Sequence, residues 1–273
     1  MFLNNNQIQE ILNQVEKASA AILDIYQSAD LEIETKKDNS PLTLADKTSH
    51  DILVTELKKL YPDIPILSEE GADIAYKTRK NWKYFWVIDP LDGTKEFISK
   101  NGEFTINLAL VKDNQPIFGV VAAPTKDMVY FANQGSGVYK KENNNSPQSI
   151  KAKEKTNQKI VVARTRSHKN QKEELLISKL GQAETIHAGS ALKFCLVAEG
   201  KADIYLRGGP TMEWDTAAGQ CIAAEAGAKT YTIDGKPFLY NKESLLNPGL
   251  ICTANPEILN KLGIPPPRWD KKV

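Results

Sequence analysis

Two aspartates lie three residues apart at a turn that follows an apolar run, within residues 86–94 (WVIDPLDGT). Ionised aspartate is rarely buried unless it is paired or binds a metal, so Asp89 and Asp92 do not fit an ordinary core. Gly93 permits a backbone path that other residues resist, and both carboxylates can then face one point. Carboxylate oxygens are the ligands that hard cations prefer. The segment therefore predicts a cation site at a strand end, with the hydroxyl of Thr94 beside it.

Three other interpretations of this turn fit it to different degrees. Asp-Gly and Pro are common in ordinary turns, which remains an alternative for the motif taken alone. An EF-hand loop does not fit, because its third, fifth and twelfth positions would be Leu91, Gly93 and Lys100, which lack the required side-chain oxygens. The Asp-x-Asp nucleophile motif of aspartyl-phosphate enzymes has one residue fewer between its acids and fits weakly.

Four more acids are candidates for the same site. Glu69 and Glu70 end the preceding predicted strand, and adjacent strands that end at one edge would bring one of them to the aspartate turn. A solvated acidic turn is the alternative. Asp46 and Asp215 each lie where a predicted helix begins, and their alternative is a helix cap, because Asp is a favoured cap residue. Each acid taken singly is ambiguous.

Together these acids suit the hydrolysis of a phosphate ester. That reaction needs divalent cations that neutralise the ester, bind the leaving oxygen and activate water. Mg²⁺ usually takes few carboxylates from any one element, so a glutamate and two or three aspartates from different loops would hold two or three ions. A hydroxyl–carboxylate pair such as Thr94 and Asp46 would then orient the attacking water as a base relay.

Basic and polar positions in the second half suit an anionic substrate. Ser190 opens a predicted helix as a small cap, and Lys193 lies one turn further in, which is typical of an anion site. Arg207 leaves a strand end, where a guanidinium can bind phosphate through two hydrogen bonds. His168 follows another strand and would face the same cleft. The alternatives are a capped surface helix, a surface arginine and a polar loop.

The elements that must position these residues follow from hydrophobic periodicity. Helices are predicted at 8–26, from near 46 to 60, and at 172–180, 190–199 and 216–226. Strands are predicted at 65–68, 85–88, 105–111, 115–123, 128–133, 159–163, 184–187 and 202–206. The first half is therefore α+β with an antiparallel meander, and the second half is α/β. The polar segment 143–147 is the linker candidate, which gives an N-terminal metal-site domain (1–157) and a C-terminal substrate-recognition domain (158–273).

Composition limits the classes of function. A net charge of +1 over 273 residues argues against a broad grip on nucleic acid or anionic membrane. Cys195, Cys221 and Cys252 lie far apart in apolar segments, so we expect buried free thiols in a reducing cytoplasm. The N-terminal segment has helical spacing rather than the unbroken apolar core of a signal peptide. No run is long enough to span a bilayer, although the N-terminal helix leaves open a peripheral association with the cytoplasmic face of the inner membrane.

Several of these segments also resemble a known family. The acids at 69–70 and the motifs at 89–94 and 214–219 resemble, in order, spacing and flanks, the inositol monophosphatase superfamily of lithium-sensitive, Mg²⁺-dependent phosphomonoesterases, over nearly the whole chain. Residues 189–200 are similar to its 3′(2′),5′-bisphosphate nucleotidase branch, although Ala191 stands where close relatives often have Ser. The resemblance implies a layered α/β/α/β/α sandwich like that of fructose-1,6-bisphosphatase.

The resemblance further implies residue roles. The residues implied to hold two or three Mg²⁺ ions are Glu69, Asp89, Asp92, Asp215 and the carbonyl of Leu91. Asp46 and Thr94, with Glu69, would activate the water. The residues implied to contact substrate are Gly93, Thr94, His168, Ser190, Lys193, Arg207 and Asp215. Among these, Ser190, Lys193 and Arg207 would bind the phosphate that is not cleaved, and His168 would lie near the nucleoside.

The implied reaction is hydrolysis of adenosine 3′,5′-bisphosphate to AMP and phosphate, in sulfur assimilation, with 3′-phosphoadenylyl sulfate as a further substrate. An inositol monophosphatase or polyphosphate 1-phosphatase of the same fold is the nearest alternative. Lys193 and Arg207 argue against it, because a substrate with one phosphate offers them no second anion. A non-catalytic nucleotide-binding sensor is a third possibility. We expect a monomer or homodimer that binds no nucleic acid.

Overall fold

The computed structural model describes residues 3–28, 31, 33–35, 41–156, 159–165 and 170–264. The α-helices in this part of the chain are α1 (Asn5–Gln27), α2 (Leu44–Leu60), α3 (Tyr76–Arg79), α4 (Thr94–Ile98), α5 (Gln171–Lys179), α6 (Leu192–Ala198), α7 (Glu213–Glu225) and α8 (Pro256–Leu262). The strands are β1 (Glu34–Thr35), β2 (Pro41–Leu42), β3 (Ile66–Ser68), β4 (Tyr84–Asp92), β5 (Thr105–Lys112), β6 (Gln115–Ala123), β7 (Met128–Asn133), β8 (Gly137–Glu142), β9 (Gln148–Ser149), β10 (Ile160–Arg164), β11 (Ala183–His187), β12 (Ile204–Arg207), β13 (Thr211–Met212), β14 (Lys229–Thr232), β15 (Leu246–Asn247) and β16 (Leu250–Thr253).

A seven-stranded sheet carries the aspartate turn. Its strands follow chain order from β3 to β9, and the meander from β4 onward is antiparallel, as predicted. Only β3 runs parallel to its neighbour β4, with Ser68 opposite Ile88. Because parallel strands end at the same edge, the turn after Ser68 and the turn after Ile88 leave the sheet together. The sheet therefore brings Glu69 next to Asp89, as the sequence predicts.

A five-stranded sheet forms from the second half of the chain, in the order β11-β10-β12-β16-β14. Strands β10, β11 and β12 are parallel, whereas β16 pairs antiparallel with both of its neighbours. Parallel strands need crossover connections, and α5 and α6 supply them. Thus the predicted α/β alternation is present in this half.

The layers follow from alternation of side chains along the strands. In β4, Trp86 and Ile88 pack with the apolar faces of α1 and α2, and Phe85 and Val87 pack with α6 and α7 on the opposite face. The five-stranded sheet covers the other side of α6 and α7, and its outer face packs on α5 and α8. The order of layers is α/β/α/β/α, and the predicted sandwich is confirmed.

Three local predictions are corrected. Residues 143–147 are the turn of a hairpin, because β9 pairs with β8 in the large sheet, so the linker prediction is wrong. The helix predicted at 190–199 covers only α6, since Ser190 has a left-handed backbone with a φ of 50°. Helix α7 begins at Glu213, three residues before the predicted start. The division into domains at residue 157 stays a prediction.

Two further sequence features have structural counterparts. Cys195, Cys221 and Cys252 are buried and free, as expected. The buried face of α1 consists of the apolar residues that define its helical spacing, so this segment is an amphipathic helix packed on the sheet. None of the helices in the described ranges is both long enough and apolar enough to cross a membrane.

Candidate active site

The aspartate turn is fixed by its own backbone and by α2. Asp89 is 1% exposed, and its Oδ1 accepts a hydrogen bond from the backbone N–H of Leu91 at 3.1 Å. The Pro90 carbonyl accepts a hydrogen bond from Ser49 Oγ at 2.8 Å. The pairing of β4 with β5 is irregular between Asp89 and Asp92. Such a bulge changes the direction of side chains at a strand end, which suits a binding site.

Gly93 is required at the end of this turn. Its φ is +99°, in the left-handed region that side chains with a Cβ disfavour. A Cβ there would lie 2.6 Å from Ser190 Oγ. Backbone strain and a clash would therefore both oppose a larger residue. Helix α4 starts directly after Gly93, and Thr94 is its first residue.

The predicted pair of Thr94 and Asp46 is present. Thr94 Oγ1 donates to Asp46 Oδ1 at 3.2 Å. The other carboxylate oxygen of Asp46 accepts from the backbone N–H and the hydroxyl of Thr43, at 2.7 and 2.5 Å. Asp46 is thus the third residue of α2 in a capping box rather than its N-cap, which is Thr43. Two donors on one oxygen fix the carboxylate so that the second oxygen faces Thr94.

The acids from separate elements line one cavity of about 780 Å³. Glu69 comes from the 3₁₀ turn after β3, Asp89 and Asp92 from the end of β4, and Asp215 from the first turn of α7. Asp215 Oδ2 also accepts from the N–H of Met212 at 2.8 Å, so it caps α7 from its third position. Thr94 lines the same cavity. The structure therefore brings together the four predicted acidic ligands and the predicted hydroxyl.

Mutual repulsion and burial dominate the electrostatics of these acids. Burial raises the pKa of Asp89 well above its usual range, and Glu69 and Asp92 raise it further. Burial raises the pKa of Asp92 to about 6, although Lys193 and a hydrogen bond from Asn107 oppose that shift. The pKa of Asp215 is raised by burial and by Asp92. Buried carboxylates that repel one another need a cation between them to stay ionised.

The donor set fits Mg²⁺. Its members are carboxylate and carbonyl oxygens from several loops, with no thiolate or imidazole among them, and hard cations prefer such oxygens. The acids surround the cavity rather than one point. In the described ranges no three His, Cys, Asp or Glu side chains are gathered closely enough to form a ligand shell by themselves.

A second cavity, of about 170 Å³, adjoins the first and shares Asp92 and Asp215 with it. Lys193 and Arg207 both line it. Lys193 is 5% exposed, and its Nζ donates to the carbonyls of Ser190 and Ala188 at 2.5 and 3.3 Å. Burial lowers the pKa of Lys193 to about 8, while Asp92 acts to raise it. The cavity is thus basic on one wall and acidic on the other.

The side chain of Arg207 has a hydrogen-bond donor that could bind an anion. Its Nε is buried and has no hydrogen-bond partner among the described residues. An unpaired buried donor is costly. An oxyanion in the small cavity would supply the acceptor. Arg207 therefore matches its predicted place at a strand end facing the site.

Ser190 differs from its predicted placement. Helix α6 begins at Leu192 with Ala191 as its N-cap, so the prediction that Ser190 caps it is wrong. Ser190 Oγ instead donates to the carbonyls of Asp92 and Glu103, at 2.7 and 3.0 Å. The residue lines the small cavity, while its hydroxyl fixes the turn that carries Asp92. His168 lies outside the described residues.

Asn107 is a residue of the site that the sequence motifs do not indicate. Its Nδ2 donates to Asp92 Oδ2 at 3.2 Å, and its Oδ1 accepts from Thr105 Oγ1 at 2.9 Å. That second bond fixes the orientation of the amide toward Asp92. The available signal was a polar residue that is 1% exposed within an apolar strand. A buried amide in such a strand needs a polar partner, here the carboxylate of Asp92.

Comparison with known proteins identifies the family. The sequence profile of the inositol monophosphatase family matches residues 4–263, which is nearly the whole chain. The chain belongs to the inositol monophosphatase family. This confirms the resemblance that the acids at 69–70 and the motifs at 89–94 and 214–219 indicate.

Within the inositol monophosphatase family, the similarity extends to particular members. The chain is 43% identical over 244 residues to the 3′(2′),5′-bisphosphate nucleotidase CysQ of Escherichia coli O157:H7, and the match covers 89% of this chain and 97% of that protein. It is similar to the crystal structure of CysQ from Bacteroides thetaiotaomicron, with a TM-score of 0.80, 41% identity and coverage of 90% and 96%. Thermotoga maritima IMPase shares the fold, with a TM-score of 0.76 at 23% identity and coverage of 94% and 97%.

Proposed function

We propose that this member of the inositol monophosphatase family is a Mg²⁺-dependent 3′(2′),5′-bisphosphate nucleotidase that hydrolyses adenosine 3′,5′-bisphosphate to AMP and phosphate. Its relatives at about 42% identity over nine tenths of the chain carry that name. The observation that carries the substrate proposal is the basic cavity of Lys193 and Arg207 beside the acid-lined one. Two cationic side chains next to an acid-lined cavity suit a substrate with two phosphates. Adenosine 3′,5′-bisphosphate is a by-product of sulfate transfer from 3′-phosphoadenylyl sulfate, so we propose a role in sulfur assimilation. We propose 3′-phosphoadenylyl sulfate as a further substrate.

The residues that would hold two or three Mg²⁺ ions are Glu69, Asp89, Asp92, Asp215 and the Leu91 carbonyl. When bound, such ions neutralise the ester, stabilise the leaving oxygen and lower the pKa of water. The protein's own contribution is to place acids from three elements around one cavity. Asp89, the most deeply buried of these acids, has the other three among the causes of its raised pKa. It is therefore the residue that would bridge two ions.

Thr94 and Asp46 would activate the water. Thr94 Oγ1 donates its proton toward Asp46 Oδ1, which leaves its lone pairs free to accept a hydrogen bond from water in the cavity. As the water oxygen attacks phosphorus and the ester bond breaks, a proton passes from the water to Thr94 Oγ1. The hydroxyl proton moves in turn to Asp46 Oδ1. The leaving oxygen of the ester keeps the electron pair of the broken P–O bond and takes up a proton from solvent. The bonds from Thr43 hold Asp46 in the orientation that this relay needs.

Lys193 and Arg207 would bind the phosphate that is not cleaved. The ammonium and the guanidinium line one small cavity, and the unpaired Arg207 Nε would donate to a phosphate oxygen. Ser190 lines this cavity too, and Gly93 lets the substrate approach the backbone. His168 would contact the nucleoside, as the family resemblance implies.

Other family members define the alternative function. An inositol monophosphatase or polyphosphate 1-phosphatase would use the same acids and the same water-activating pair. It would leave the basic cavity of Lys193 and Arg207 without a second anion when its substrate has one phosphate. A non-catalytic nucleotide sensor would have no need for the Thr94–Asp46 pair.

A substrate panel tests the proposal. Phosphate release is measured from adenosine 3′,5′-bisphosphate, inositol 1-phosphate and fructose 1,6-bisphosphate, with Mg²⁺ and with or without Li⁺. We expect the adenosine bisphosphate to have the highest kcat/KM and Li⁺ to inhibit. Faster turnover of inositol 1-phosphate would contradict the substrate proposal, and no turnover of any ester would favour the sensor.

A variant adds a test of the basic cavity. Lys193→Ala should raise the transition-state free energy for the bisphosphate by roughly 1.5–3 kcal/mol, the usual value of a hydrogen bond to a charged group. For an adenosine monophosphate substrate, which lacks the second phosphate, the same variant should raise the transition-state free energy much less. Equal losses on both substrates would contradict the proposed role of Lys193.

Location, partners and oligomeric state are proposed from properties of the chain as a whole. We propose a cytoplasmic location, which three buried free cysteines support. A net charge of +1 suits a small-molecule enzyme better than a nucleic-acid binder. A monomer or homodimer, two domains that meet near residue 157, and peripheral membrane association stay predictions from the sequence.

A further inference from the structure

Helix α2 contacts the loops of the site through one face. Asp46, Ser49 and His50 are spaced at i, i+3 and i+4, so their side chains lie on the same side of the helix. Asp46 accepts from Thr94, and Ser49 donates to the carbonyl of Pro90. His50 is the third member of this face. It belongs to no part of the chemistry described above.

His50 contacts the turn that carries Glu69. Its Nδ1 lies 2.8 Å from Ser68 Oγ, within hydrogen-bond distance. Ser68 is 1% exposed and is the residue directly before Glu69. At the other end of the turn, a Cβ on Gly71 would lie 3.6 Å from His50 Cε1. The imidazole therefore contacts the residue directly before the 3₁₀ turn at Glu69–Gly71 and lies near the last residue of that turn.

We propose that His50 is a positioning residue for Glu69, acting through the hydroxyl of Ser68. This inference rests on the proposed function, because it takes Glu69 as a metal ligand. Side chains that hold metal ligands in place typically affect metal affinity by tenfold to a hundredfold. Glu69 lies on a 3₁₀ turn of three residues, and the hydrogen-bond geometry of a 3₁₀ helix is poorer than that of an α-helix. A contact from α2 therefore adds a constraint on the orientation of this turn.

The bond to Ser68, rather than the bulk of the ring, is the decisive feature. His50 is half-buried on α2, and an apolar ring would fill the same space. The hydroxyl of Ser68, however, is inside the protein, and loss of its imidazole partner would free the turn to reorient. A variant that keeps a polar atom near Nδ1 should therefore retain the function, and one that keeps only the ring should not.

Substrate-free metal binding provides the test. Metal-free protein is titrated with MgCl₂ by isothermal titration calorimetry for the wild type, His50→Phe, His50→Asn, Ser68→Ala and the double variant with His50→Phe and Ser68→Ala. Thr55→Ala, an exposed change on the same helix, is the matched control. Thermal unfolding in EDTA shows whether each variant retains the stability of the metal-free fold.

We expect His50→Phe to weaken Mg²⁺ binding by about tenfold or more, with unfolding in EDTA close to that of the wild type. His50→Asn should restore most of the affinity, and Thr55→Ala should have no effect. The double variant with His50→Phe and Ser68→Ala should bind Mg²⁺ only slightly more weakly than the weaker of the two single variants, because both changes remove the same bond. The Mg²⁺ concentration for half-maximal turnover should shift in parallel.

Two results would overturn the inference. Unchanged Mg²⁺ affinity in His50→Phe would remove the positioning role while leaving the proposed function intact. Independent, multiplicative losses in His50→Phe and Ser68→Ala would show that His50 does not act through Ser68. A wild type that binds no Mg²⁺ would overturn the metal site itself, and with it both this inference and the proposed function. If His50→Phe is poorly folded in EDTA, the Mg²⁺ affinities of His50→Asn and Ser68→Ala decide the question. Weakened binding in Ser68→Ala but not in His50→Asn supports the inference, and unchanged binding in Ser68→Ala overturns it.

Discussion

Asp89 has the environment that most constrains the chemistry. It is 1% exposed, and burial together with neighbouring acids raises its pKa. Its carboxylate accepts a hydrogen bond from the N–H of Leu91. One such bond offsets only a small part of the free-energy cost of burying a charge. Such an arrangement is unfavourable for folding alone. It becomes favourable when divalent cations neutralise the carboxylates, so the residue is better explained by function than by stability.

Asp89→Asn tests the bridging role of this residue. An amide keeps the shape and can still accept from Leu91, but it lacks the charge that would bridge two cations. We expect turnover to fall by at least about a thousandfold, since several kcal/mol of metal-based stabilisation would be lost. The Tm in EDTA should equal or exceed that of the wild type, because a repelled buried charge is removed. Turnover within tenfold of the wild type would contradict the bridging role.

Lys193 gives a prediction about pH. Burial lowers its pKa to about 8, so the free enzyme loses this positive charge as the pH rises through that value. A bound phosphate needs the protonated form, and kcat/KM for adenosine 3′,5′-bisphosphate should therefore decline above about pH 8. Lys193→Arg stays charged at these pH values and should lack that decline. The measurement is the pH profile of kcat/KM for both proteins. An adenosine monophosphate is the control substrate.

At the scale of elements, the first turn of α7 is held by the chain that follows β14. Glu213 is completely buried, and its carboxylate accepts from the N–H groups of Asn241 and Lys242 and from Lys242 Nζ. Arg79, at the end of α3, donates to Asn241 and to nearby carbonyls. These contacts join three separate segments. Because Asp215 is two residues after Glu213, they also fix the acid that α7 contributes to the cavity.

Glu213→Ala should destabilise the fold by about 3 to 5 kcal/mol, the usual cost when one partner of a buried ion pair is removed. Three donors would lose their acceptor together. Urea unfolding measures the difference in free energy. The matched control is Glu184→Ala, which removes an exposed pair with Lys159 and should cost less than about 1 kcal/mol. A similar decrease in the free energy of unfolding in both variants would show that Glu213 does not fix the first turn of α7.

At the scale of the whole molecule, the site lies where the two sheets and the helices between them meet. The large sheet contributes Asp89 and Asp92, the central helix α7 contributes Asp215, and the small sheet contributes Arg207. No one layer contains all of these acids together with Arg207. Binding of cations should therefore stabilise the packing of layers as well as the turn that holds them.

Removal of metal should thus reduce stability in a pH-dependent way. Burial raises the pKa of Asp92 to about 6, so the metal-free folded state binds more protons than the unfolded state between about pH 4 and 6. Its stability falls as the pH rises through that window. Mg²⁺ removes the repulsion and binds best to ionised carboxylates. We expect Mg²⁺ to raise the Tm more at about pH 7.5 than at about pH 5. An equal rise at both values would contradict the electrostatic argument.

Many features of the fold could be predicted from the sequence because local patterns encode them. The alternation in β5, β6 and β7 predicts the meander, and the helical spacing of α1 predicts its buried face. Pro90 and Gly93 mark a special turn. The pairing of Asp46 with Thr94 follows from chemistry that needs a relay. By contrast, the polar composition of 143–147 misleads, because a hairpin turn and a linker use the same residue types.

What the sequence determined by itself is the family, the order of the elements and the identities of the acidic residues in the site, since these depend on periodicity and on motifs of a few residues. Only the tertiary structure decided that Ser190 takes a left-handed backbone and bonds to Asp92, which is nearly a hundred positions away in the chain. The same is true of Asn107 at Asp92 and of His50 at Ser68. Such contacts depend on how sheets and helices stack, and no local pattern records which distant strand or turn a side chain will face.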